Sequence, residues 1–254
     1  MSEQLLGKAL IIVATSVLLA FTAAESPGQS GIEFDHFSIV VSPNAPERAA
    51  LQQAGFEIAP GINRNDGQGT ASISVEFENS YLELVWPDST VTVSPGMERA
   101  AEKFRQRMLW RSSGWCPISI ALRRTAPSNE ALPFPTWSWT ADWMPKGSKV
   151  EMLTPREDTR SPALYIEPRA LTDAAEQEKR ASRFHHSTEV HRVTSICLIS
   201  PKTYQLIEPL AYLEKQGVLT IKQGDKWQVE LTFDYGKAKK SKDLRPDIPV
   251  VIQY

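Results

Sequence analysis

Four histidines are spread unevenly along the chain. His36 stands alone in the run Phe34-Asp35-His36-Phe37-Ser38-Ile39-Val40-Val41, whereas His185, His186 and His191 fall within seven positions of one another. Two carboxylates occur in matching settings, Tyr81-Leu82-Glu83 and Tyr165-Ile166-Glu167. Imidazole and carboxylate are the groups a divalent transition metal accepts, and a catalytic metal needs about three protein ligands with an open position for water or substrate. The same groups also exchange protons, a use open to Glu83 and Glu167. Each has a plainer structural reading. His36 is also the type of residue that hydrogen-bonds half-buried beside an aspartate, Glu83 and Glu167 suit exposed or edge-strand positions, and the histidine cluster suits a polar loop.

The elements that must place these groups are clearest between Phe34 and Trp86. The aromatic and β-branched run 34–41 reads as a strand closed by Ser42-Pro43-Asn44-Ala45-Pro46. A helix is expected over 47–54, with Ala50, Leu51 and Ala54 on one side and Gly55 at its end. Phe56-Glu57-Ile58-Ala59 reads as the second strand, 60–69 as a loop, 71–77 as an alternating third strand and 81–86 as a fourth. A βαβββ unit of this kind has a sheet face that must be buried against something else.

Asp35-His36 opening the first strand, Ala54-Gly55-Phe56 after the helix, Gly69-Thr70 before the third strand and Tyr81-Leu82-Glu83-Leu84 on the fourth agree in order, spacing and residue type. In these features the stretch resembles the first module of the vicinal oxygen chelate superfamily, which includes glyoxalases and extradiol dioxygenases, and in particular its glyoxalase-like domain branch. The resemblance implies an α+β fold of repeated βαβββ modules with curled mixed sheets. It also implies that His36 and Glu83 point into the curl as metal ligands. With His185 or His186 as the third ligand, the set would be two histidines and one carboxylate, compatible with Fe, Mn, Zn or Ni.

Ser94-Pro95 reads as a helix start, and Met97, Ala100, Ala101, Phe104, Met108 and Leu109 fall on one face of a helix expected over 95–110. Such a stripe is more often core than a cofactor site, so this helix is expected to connect modules. A degraded second module then follows, giving a unit over 94–168 with strands at 116–122, 136–143, 149–153 and 163–168. Trp137 and Trp139 share one face if theirs is a strand, and with Tyr81 they are candidate walls of a substrate pocket. Glu167 is the candidate acid or base of this module. The charged stretch 169–182 has no apolar stripe to bury. A third βαβββ module is expected over 184–254, where Ser200-Pro201 and Leu213-Glu214-Lys215-Gln216-Gly217-Val218 match Ser42-Pro43 and Leu51 to Phe56. In that alignment Thr194 takes the place of His36.

With 28 basic and 30 acidic residues and a formal net charge of −2, the chain is not expected to present a nucleic-acid surface, and the lysines at 237, 239, 240 and 242 read as a solvated loop. Cys116 and Cys197 lie in apolar runs, as a buried thiol pair or as a disulfide. Residues 1–24 read as a signal peptide directing a secreted or periplasmic protein, or else as a membrane anchor over 9–24. The expected partner is a small molecule, within a possible homodimer and with no membrane insertion beyond that anchor. Two functions stay open: metal-dependent isomerase, lyase or dioxygenase chemistry on an oxygen-rich substrate, and metal-free small-molecule sequestration in the same cup. If 1–24 is a removed signal, the intact mass of protein from its native host will place the N-terminus near Glu25. A full-length product that pellets with membranes will identify the anchor instead.

Overall fold

The structure is a computed structural model, described here for residues 31–125, 131–141, 144–168, 171–172 and 186–254. The candidate His185, as well as Trp143 and most of the charged stretch after Pro168, lie outside the described residues. Among the described residues, no helix is long and apolar enough to cross a membrane.

The chain starts with β1 (Ile32–Val40), α1 (Arg48–Gln53), β2 (Asn63–Asn65), β3 (Thr70–Glu76) and β4 (Tyr81–Pro87). Next come α2 (Glu98–Arg107), α3 (Trp110–Ser113), β5 (Ile118–Arg124), β6 (Trp137–Trp139), β7 (Val150–Met152) and β8 (Ala163–Ile166). These eight strands form one sheet in the order β2-β3-β4-β1-β5-β8-β7-β6. The order is symmetric about its centre. β1 runs parallel to β4, β5 runs parallel to β8, and β1 and β5 pair antiparallel as the seam. The sheet is therefore two copies of one strand pattern, as the fold expectation requires, although among the described residues no helix lies between β5 and β6.

Strand alternation divides this sheet into two unlike faces. Phe37, Ile39, Val75, Phe77, Leu82, Leu84, Ile118, Ile120, Leu164 and Ile166 point to one side and belong to a continuous buried core. That core is completed by the third unit: β9 (Val193–Pro201), α4 (Glu208–Lys215), β10 (Thr220–Gly224), β11 (Gln228–Phe233), β12 (Ser241–Asp243) and β13 (Val250–Gln253). The join is visible at Phe77, whose ring meets Phe233 at 4.7 Å and Phe56 at 6.1 Å between centroids. Asn79 adds a polar tie, donating to the Val193 carbonyl at 2.8 Å and accepting from the Val193 amide at 2.9 Å.

Several local expectations change. The second strand is Asn63–Asn65, within the stretch read as a loop, while 56–59 forms no strand and meets the sheet through the Ala59 N–H to Ser74 carbonyl bond. Gly61, at φ +92°, turns the chain between them. α2 begins at Glu98 because Gly96, at φ +85°, is outside helical space. Arg107, outside the expected apolar stripe, is buried, and Leu109, expected within it, is 57% exposed. The third unit opens like the first, strand then helix, but its five strands order as β10-β9-β11-β13-β12, so the strand after the helix pairs directly with β9. The two cysteines are buried free thiols.

Because Phe77 fills the junction of the two sheets, Phe77→Ala is expected to cost about 3–5 kcal/mol. Urea denaturation of parent and variant measures this, and a cost within experimental error would show that the junction is not part of the cooperative core.

Candidate functional site

The other face of the eight-stranded sheet is concave and encloses a cavity of about 1110 Å³. Its floor follows from register. One row of side chains runs across neighbouring strands as Glu76, Tyr81, His36, Ala121, Tyr165, Met152 and Trp137. The next row is Ser74, Glu83, Ser38, Ser119 and Ala163. Four of these five are small, so the second row recedes and leaves space above Glu83. Ala121 has the same effect in the first row, because its methyl group lets the rings on either side meet above it.

His36 is at the centre. Its Nδ1 lies 2.7 Å from Asp35 Oδ1, and its Nε2 lies 3.2 Å from both the Tyr165 and the Tyr81 hydroxyls. In a regular strand Asp35 and His36 would face opposite sides. The register between β1 and β5 shifts between Phe34 and His36, and Asp35 is the extra residue of that bulge. The bulge turns its carboxylate back onto its neighbour's ring. Arg123, which faces Glu33 across the seam, completes the arrangement by donating to Asp35 Oδ2 at 3.1 Å and to Glu33 Oε1 at 2.6 Å.

Asp35 is buried, which by itself would raise its pKa, but the hydrogen bond and charge of His36 together with Arg123 hold it below the usual carboxylate range. An ionised Asp35 accepts the Nδ1 proton and leaves the Nε2 lone pair facing the cup. Tyr165 is the better partner for that lone pair. Its ring meets the imidazole edge-on at 71°, whereas Tyr81 stacks on it at 15° and 4.0 Å, which puts its hydroxyl away from the ring plane. Burial, reinforced by the carboxylates of Glu83, Asp35 and Glu167, pushes both phenols well above their ordinary pKa. They remain protonated donors.

Glu83 and Glu167 line the same cavity as His36. Burial pushes Glu167 up to about 7, and the charges of Asp35 and Glu83 add to that while His36 opposes it. Trp137 and Trp139 also line the cavity, with the Trp137 indole fixed by a 3.0 Å bond to the Thr154 carbonyl and covered by the Arg156 guanidinium at 4.0 Å. The apolar stripe of α2 does more than connect modules, since Met97, Ala100, Ala101 and Phe104 close one end of the cup.

His186 lies away from this group. Its Nδ1 accepts from the Glu57 amide at 3.0 Å, its Nε2 meets the Glu76 carbonyl at 2.7 Å, and its ring packs on Phe56 and Phe77. With both nitrogens bound to backbone, it pins the loop after α1 to β3 and has no lone pair for a metal. No group of three His, Cys, Asp or Glu side chains gathers as a metal site among the described residues. The donor set there supplies two of the roughly three ligands a catalytic metal needs.

Sequence reasoning missed Asp35, Tyr165 and Arg123 as site residues. The repeat that singles out Glu167 also pairs Tyr165 with Tyr81, and that signal was available. Nothing in the sequence marks the bulge that recruits Asp35 and Arg123.

A cup of this build, floored by the inward residues of paired strand units, is that of the glyoxalase and dioxygenase class of α+β folds. Residues 34–211 match the family model of the glyoxalase-like domain, and the chain belongs to that family, within the vicinal oxygen chelate superfamily. Among solved structures it is similar to a hypothetical protein from Staphylococcus aureus, at 11% identity and TM-score 0.50 over 87% of this chain and 99% of that one, a likeness of fold alone. A hypothetical protein of Bacillus halodurans aligns at 18% identity and TM-score 0.31 over 54% of this chain and 93% of that one. A Streptomyces coelicolor methylmalonyl-CoA epimerase aligns at 16% identity and TM-score 0.30 over 53% and 94%. Neither of these looser overlaps carries an argument. No curated protein matches the chain.

The raised Glu167 pKa has a direct consequence. A carboxyl whose folded pKa is about 7 against an ordinary 4.5 favours folding fully below pH 4.5, and that contribution is lost as pH rises through 7. Glu167→Gln, which is neutral throughout, should therefore melt close to the parent below pH 4.5 and above it beyond pH 7. Equal melting temperatures across that window would show that Glu167 is solvated like an ordinary surface carboxylate.

Proposed function

We propose that the cup binds a small oxygen-bearing molecule and acts on it by proton transfer, as an isomerase or lyase does next to a carbonyl. His36 is the base. The observation that carries this reading is the Asp35 carboxylate on His36 Nδ1 at 2.7 Å, with Nε2 turned into the cavity beside the hydroxyls of two half-buried tyrosines. A carboxylate on Nδ1 fixes the tautomer in which Nε2 takes up a proton, and it stabilises the imidazolium that results. Substrate entering the cup would displace the Tyr165 hydroxyl from Nε2 and receive its hydrogen bond instead. Tyr165 and Tyr81 then serve as fixed donors to the oxygen on which negative charge grows. Glu167, with a pKa near neutrality, is suited to return a proton at a second position.

In the metal-dependent reading, a divalent ion held by His36 and Glu83 would supply Lewis-acid stabilisation of the same developing charge. The described residues do not complete its coordination, so no step above is routed through a metal. The metal-free binding cup is favoured by a different observation, the aromatic wall of Tyr81, Trp137 and Trp139, which suits sequestration of an apolar body with one polar end.

Chelator-dialysed protein in heavy water, incubated with a panel of small ketols and oxo acids and followed by proton NMR, separates the three readings. Proton transfer predicts loss of the α-proton signal for at least one compound, slowed by roughly 100-fold or more in His36→Ala. Exchange that appears only after adding Mn, Fe, Ni or Zn would establish the metal-dependent reading. Saturable binding with no exchange, with or without metal, would establish the sequestering cup.

A further inference from the structure

We infer that Arg123 is the positioning residue of this site, fixing the tautomer of His36 through Asp35 without touching the substrate. Arg123 sits on β5, two residues along from Ala121 and thus on the cup side of the sheet, directly opposite Glu33. In an unbroken antiparallel ladder the Glu33–Arg123 pair would be an ordinary cross-strand ion pair. The bulge changes its reach. The guanidinium fork now spans Glu33 Oε1 at 2.6 Å through Nε and Asp35 Oδ2 at 3.1 Å through Nη1. The side chain of Glu33 is 48% exposed, that of Arg123 15% and that of Asp35 3%, so the chain of groups leads from solvent inward to the imidazole.

Oδ1 of Asp35 meets the His36 ring and Oδ2 meets the guanidinium. A buried carboxylate held at fewer points rotates more readily, and that rotation releases Nδ1. Arg123 opposes that rotation, because it holds the carboxylate plane by its second oxygen. The guanidinium suits this place because its planar fork meets two carboxylates at once, which a point charge cannot do. This inference rests on the proton-transfer reading for its consequence, but the tautomer itself can be measured without a substrate.

Nitrogen NMR of isotopically labelled histidine reports which ring nitrogen carries the proton, and the four histidines keep the spectrum assignable. In the parent, His36 is expected as the Nδ1–H tautomer. In Arg123→Met, the ratio of that tautomer to its alternative should fall by roughly ten-fold or more, the size expected for loss of one charge-assisted hydrogen bond. Arg123→Lys, which keeps the charge but not the fork, should fall between the two, and it carries the test if the Met variant fails to fold. A folded Met or Lys variant with the parent's tautomer ratio would overturn the role of Arg123 while leaving His36 as the base. An Nε2–H tautomer in the parent would overturn both.

Discussion

The structure depends on the antiparallel pairing of β1 with β5. This seam joins the two strand units, and its register decides which side chains share the cup floor. His36 falls opposite Ala121 and Ser38 opposite Ser119, so the centre of the cup is built from one imidazole among small neighbours. A larger side chain at 121 would separate His36 from Tyr165, which sits beside Ala121 on β8. The one irregularity in the seam, the bulge at Asp35, places a carboxylate behind the imidazole and brings Arg123 within reach of it.

The two faces of the sheet place opposite demands on the sequence. The convex face carries Phe37, Ile39, Ile73, Leu82, Leu84, Ile118 and Ile120 and would be unstable in water, so the third unit covers it with Ile196, Leu198, Leu231 and Phe233. The concave face is free of that requirement and can hold serines, carboxylates and phenols. This division of labour explains why the third copy needs no ligand pair of its own. It acts as a lid on the apolar side, and Asn79, His186 and Phe77 fasten it there.

Electrostatically, the floor gathers Asp35, Glu83 and Glu167 around one imidazole, with Arg123 behind Asp35. The charges cannot all be expressed equally in a half-buried cup. Asp35 has two donors and stays ionised, while Glu167 is desolvated and titrates near neutrality. Two carboxylates with divergent proton affinities beside one oriented imidazole are an arrangement suited to moving protons.

The sequence by itself determined the pattern of the first sheet. Alternation in 71–77 and 81–86, the breakers after Val41 and the Tyr-x-Glu echo at 165–167 marked strands and paired Trp137 with Trp139 on one face of theirs, because a period of two sorts the residues within a strand, while the family resemblance implied that His36 and Glu83 share the inner face. It also fixed the family, since those spacings are local. Tertiary structure decided what the spacings cannot carry. A bulge is a property of the pairing between β1 and β5, so the turn of Asp35 toward His36 has no signature in either strand alone. His186 became a loop fastener because its nitrogens meet backbone groups at Glu57 and Glu76, more than a hundred residues away in the chain. The strand order of the third unit depends on which neighbour β9 selects, a choice made by packing over the convex face, and hydrophobic alternation leaves that choice open.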